Sequence, residues 1–135
     1  MNSKKATIWI IDSEQWPRAC LRAELIERGY DAVGFVRTGQ ALSALRSRPR
    51  SSPGAIVLEL RGQSVNDNAL DLLAGTNIPL LLLGGSTELN HPSVQKAKAA
   101  AILKRPITLG KIADVLQGIV SAPPLSHTAG GALEQ

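Results

Sequence analysis

Residues 54–62 read GAIVLELRG. Five apolar side chains from Ala55 to Leu60 are interrupted once, by Glu59. A strand with one wet face alternates apolar and polar residues, whereas a strand covered on both faces reads as a near-continuous apolar run. This stretch is of the second kind, so it predicts a strand inside a parallel sheet with a carboxylate at its carboxyl tip. Four further runs share the texture: residues 6–11 (ATIWII), 32–36 (AVGFV), 78–83 (IPLLLL) and 101–103 (AIL).

Helical spacing fills the intervals. Residues 16–28 place Leu21 and Leu25 at i, i+4, with Pro17 suited to a first turn and Gly29 as the stop. Trp16 and Cys20 fall in the same pattern and read as packed side chains. Thr38 is a candidate cap for a helix carrying Ala41, Leu42 and Leu45 on one face, and Ser64 for one carrying Leu70, Leu73 and Ala74 before Gly75. Pro92 opens a segment running to Ala101, and Thr108 caps a helix with Leu109, Ile112, Leu116 and Ile119 in a stripe. Strand and helix thus alternate five times in about 120 residues. The expected architecture is α/β: a flavodoxin-like, doubly wound (βα)5 domain, with a five-stranded parallel sheet between two helical layers. We expect residues 1–120 to form it. Residues 121–135, rich in Pro, Gly, Ser and Ala, read as a flexible tail or linker.

Composition narrows the function classes. Aromatic residues make up 3% of the chain, which argues against base stacking on single strands. The net charge is +4, but the basic residues are dispersed, so they read as solvated faces rather than a nucleic-acid stripe. A single cysteine, Cys20, cannot form an intramolecular disulfide, in keeping with a cytoplasmic location. No apolar run reaches membrane-spanning length.

In a doubly wound sheet, the carboxyl ends of the strands converge on one functional rim. That rim gathers Asp12, Ser13 and Glu14, then Glu59, then Gly84-Gly85-Ser86, then Lys104-Arg105-Pro106. Five fragments in this order, IWIID-SE, Leu21/Leu25/Gly29/Tyr30, AIVLEL, IPLLLLGG and ILKRPI, resemble the receiver domain of bacterial response regulators (the CheY-like superfamily) over roughly residues 6–120. The resemblance implies an acidic pair for Mg²⁺, an aspartate that accepts the phosphoryl group, a hydroxyl, a lysine and a switch aromatic. Asp12 matches the first acid. Ser13 stands at the second, beside Glu14; Glu59 at the phosphoacceptor; Gly84 at the hydroxyl; Arg105, after Lys104, at the lysine; Ile102 at the aromatic.

Glutamate displaces the carboxylate by roughly a bond length, and an error near 1 Å can cost about 10²-fold in a transfer governed by positioning. The chain is therefore expected to be a degenerate receiver, not an enzyme and without a cofactor, Asp12 and Glu59 being weak candidates for Mg²⁺. Glu59 either imitates a phosphorylated residue or pairs with Arg105 or Lys104. Partners are expected to be proteins, a histidine kinase or an output protein or domain, with residues 92–120 and their Ala97, Ala99, Ala100 and Ala101 as a candidate homodimer face. The alternatives are a basic regulatory domain contacting nucleic acid, and a receiver that still binds Mg²⁺ and phosphate weakly.

Overall fold

The computed structural model describes residues 6–64 and 68–121. Its order is β1 (Thr7–Ile11), α1 (Gln15–Glu27), β2 (Asp31–Phe35), α2 (Thr38–Ser47), β3 (Ala55–Glu59), α3 (Ala69–Ala74), β4 (Leu80–Gly84), α4 (Ser86–Leu89), α5 (Pro92–Lys96), β5 (Ala101–Lys104) and α6 (Leu109–Ser121). All neighbouring strands pair in parallel, in the order β2-β1-β3-β4-β5. This is the expected doubly wound sheet. Residues 122–135, assigned to the tail, lie outside the described residues.

The apolar runs explain the layering. Every residue of β3 and of β4 is buried, because both strands are central and covered on both faces. One core cluster lies on the α1/α6 side, around Ile8, Ile10, Val57, Leu81, Leu25 and Leu116. The other lies on the α2/α3/α5 side, around Trp9, Ile11, Leu58, Leu82, Leu42 and Leu73. Alternate residues of one strand feed opposite clusters, as the pleat requires.

Four local expectations are corrected. Trp16 is 78% exposed and Cys20 is also exposed. The helix turns Leu21 and Leu25 to the core, and Trp16 and Cys20, four apart, share an outward face. Thr38 is the first residue of α2 rather than its cap; the Gln40 side chain instead accepts from the N–H groups of Val36 and Arg37. Ser64 does not start α3, which begins at Ala69; Val65–Asp67 lie outside the described residues. The segment after Pro92 is helical only to Lys96, with the separate short α4 before it. Ala97, Ala99 and Ala101 are partly buried and pack against the two cores. The Thr108 hydroxyl does cap α6, accepting from Lys111 N–H at 3.1 Å.

Candidate functional site

The tip of β3 delivers Glu59 to the rim, where it is 3% exposed, and the tip of β1 delivers Asp12, 5% exposed. A carboxylate buried this far needs partners. Arg105, just past β5, supplies the first: its Nε lies 3.2 Å from Glu59 Oε1. Glu59 Oε2 accepts the backbone N–H of Arg61 at 3.0 Å. Arg105 continues outward through Nη2, which donates to Glu88 Oε1 at 3.4 Å. Glu88 in turn accepts the Gly85 N–H at 2.6 Å.

A second guanidinium holds the other acids. Arg61 Nη2 lies 3.5 Å from Asp12 Oδ1, and its Nε 2.9 Å from Glu14 Oε2. Asp12 Oδ1 also accepts the N–H of Glu14 at 2.9 Å, and Ser13 Oγ donates to the Arg61 carbonyl at 3.2 Å. Neither Arg61 Nε nor Arg105 Nε makes a directed hydrogen bond, so those contacts act through charge rather than aimed N–H groups. Beside the network a cleft of about 130 Å³ opens, walled by Pro17, Leu21, Ile107 and Leu109.

These contacts decide what the rim can hold. Mg²⁺ demands nearly ideal octahedral oxygen ligation at short range. The residues present do not fit it, because the Arg61 guanidinium bridges Asp12 and Glu14 and both oxygens of Glu59 face arginine. Among the described residues, no group of three or more His, Cys, Asp or Glu side chains is placed to share a metal.

Gly84 offers no hydroxyl and little room for one. A Cβ there would lie 3.3 Å from each of Glu88 Cβ, Leu60 Cδ1 and Leu89 Cδ2. Gly84→Thr is expected to destabilise by about 1–2 kcal/mol through overpacking, measurable by urea unfolding. Lys104 is exposed and Ile102 is 45% exposed on the edge strand β5. Arg105, not Lys104, meets Glu59.

Burial pushes the Glu59 carboxyl above its ordinary range, opposed by the Arg61 N–H and the Arg105 charge. The folded protein therefore holds this proton more tightly than the unfolded chain does. Its contribution to stability is complete below the ordinary carboxylate range and is lost as pH rises through the elevated folded value. Glu59→Gln, which cannot titrate, should gain stability relative to the wild type as pH rises through that window. Urea midpoints from about pH 4 to about pH 8 would test this, and parallel curves would contradict it.

Arg61 and Glu88 are the rim residues that sequence reasoning missed. The signal for Arg61 was its place two residues after Glu59; for Glu88, an acid three residues beyond Gly85.

Known structures can now be set beside this geometry. A response regulator receiver protein from Burkholderia phymatum superposes with a TM-score of 0.72 at 18% identity, covering 90% of this chain and 100% of that one. This chain has the receiver fold of response regulators. A response regulator from Thermotoga maritima matches this receiver fold at a TM-score of 0.68 and 15% identity, covering 87% of this chain and 99% of its own. The N-terminal domain of a response regulator/sensory box/GGDEF three-domain protein from Carboxydothermus hydrogenoformans does so at 0.67 and 14%, covering 84% and 93%. No family model and no curated protein sequence matches. No described helix of this receiver-fold chain is long and apolar enough to cross a membrane.

Proposed function

We propose that the chain is a degenerate receiver module of two-component-type signalling, acting by protein contact and without a phosphorylation cycle. The observation that carries this reading is the occupied rim. Glu59 is engaged by Arg105 and by the Arg61 N–H, where a phosphoacceptor would need a free carboxylate oxygen. Arg61 holds the acids that a cation would need. The hydroxyl position is a glycine with little space around it. The Arg105 pair holds one rim conformation, and the module presents that single state to its partner. The partner class is a histidine kinase or an output protein or domain; the multidomain architecture of the Carboxydothermus neighbour supports this choice.

The test is a titration with beryllium fluoride and Mg²⁺, followed by amide NMR shifts. No saturable change at Glu59, Gly84 or Arg105 is expected. Saturable shifts centred on Glu59, or a stable acyl phosphate after incubation with acetyl phosphate, would overturn the reading.

A further inference from the structure

At the opposite edge of the sheet from β5, β2 pairs only with β1 among the described residues. Phe35 C=O accepts from Asp12 N–H, so Phe35 faces β1. In a parallel pair alternate residues face the partner strand, so Ala32, Gly34 and Val36 direct their backbone groups outward. Two of the three are engaged by side chains. Arg22 Nε donates to Ala32 C=O at 2.8 Å. Val36 N–H donates to Gln40 Oε1 and Val36 C=O accepts from Gln63 Nε2. Gly34, between them, is exposed and its N–H and C=O have no partner among the described residues. Unpaired edge groups of this kind are a template for another strand.

The flanks add apolar surface and charge. On the α2 side a groove of about 360 Å³ is floored by Trp9 and Phe35, whose ring centroids are 4.7 Å apart, with Val33 42% exposed at its lip. On the α1 side a groove of about 520 Å³ runs past Ala19, Ala23 and the 45% exposed Ile26. The charged residues lining the two grooves are Arg18, Arg22 and Arg48 against Glu27, with Asp31 exposed at the start of β2. Arg18 crosses directly over Gly34: a Cβ there would lie 3.0 Å from Arg18 Cδ.

We propose that the β2 edge receives an extended acidic polypeptide segment, which pairs with Gly34 and sets its carboxylates against Arg18 and Arg22. The charge favours this occupant over a second copy of the chain, which would bring arginine to arginine. The free amide and carbonyl of Gly34 favour a peptide over a nucleic acid, which has no backbone to complete a strand ladder. As a carboxylate draws Arg22 away, Ala32 C=O is released to extend the pairing.

The probe is a blocked eight-residue peptide alternating valine and glutamate, titrated into the whole chain with amide NMR and hydrogen exchange as readouts. The expected result is saturable shifts at residues 32–36 and slowed exchange at Gly34 N–H. The same peptide with lysine for glutamate, or with N-methylated ladder amides, should leave them unmoved. The Arg18→Glu/Arg22→Glu variant should weaken binding about tenfold, the size expected when two exposed ion pairs are lost. Gly34→Pro, which removes the donor, should abolish the saturable shifts at Ala32 and Val36. Absence of binding, shifts confined to another surface, equal binding of the lysine peptide, or stronger binding of a ten-nucleotide single strand would each overturn the proposal.

Discussion

Replacing Arg105 with methionine is expected to lower the unfolding free energy by about 2–3 kcal/mol. The change removes the charge facing Glu59, which is 3% exposed, and leaves that carboxylate with the Arg61 N–H as its close partner. The loss falls short of that for a fully buried pair because the Arg105 side chain is 30% exposed and partly screened. Adding Glu59→Met to Arg105→Met should recover most of the loss, since an apolar pair of similar volume carries no desolvation penalty. Both variants also lose the Arg105 contact to Glu88, so the Glu59→Met single is needed to complete the cycle and isolate Glu59 with Arg105. A single variant within about 0.5 kcal/mol of wild type would remove the pair from any role in fixing the rim.

Leu58→Ala is expected to cost more, about 3–4 kcal/mol. Leu58 is 1% exposed and sits in the central strand between Ile11 and Leu82. Its neighbours are held by the sheet and cannot close the cavity. The thermal midpoint should fall by roughly 10–15 °C for a domain of this size. Ile102→Ala, by contrast, should cost less than about 1 kcal/mol, because Ile102 is 45% exposed on an edge strand. Equal losses at the two positions would contradict the burial pattern. The contrast also bears on the rim, since Leu58 precedes Glu59 and supports the strand tip.

The sheet was legible because β3 is apolar up to Glu59 at its tip and β4 carries four leucines in a row, a pattern only a doubly covered strand needs. The rim was legible in position but not in pairing. Which guanidinium reaches which acid depends on side-chain direction, and the sequence order placed Arg105 beside Glu59 without revealing Arg61 on Asp12 and Glu14. The burial of α1 was misread at Trp16 and Cys20, because an apolar residue within a helical repeat does not declare which side of the stripe it occupies. α4 was missed because its four residues, Ser86–Leu89, make barely one turn, too short for a helical repeat to show. Gly29, with φ of 96°, ended α1 where the sequence placed it.

The chain carries two tryptophans, and the fold gives them opposite surroundings. Trp9 lies 7% exposed against Phe35 beside the β2 edge, while Trp16 stands 78% exposed at the start of α1 near the rim. A soluble quencher reaches the second and is shielded from the first. Two optical reporters are therefore built into the native protein, one for each surface. Single Trp→Phe variants separate their signals, so an event at the rim and an event at the sheet edge can be told apart in the same cuvette without a label.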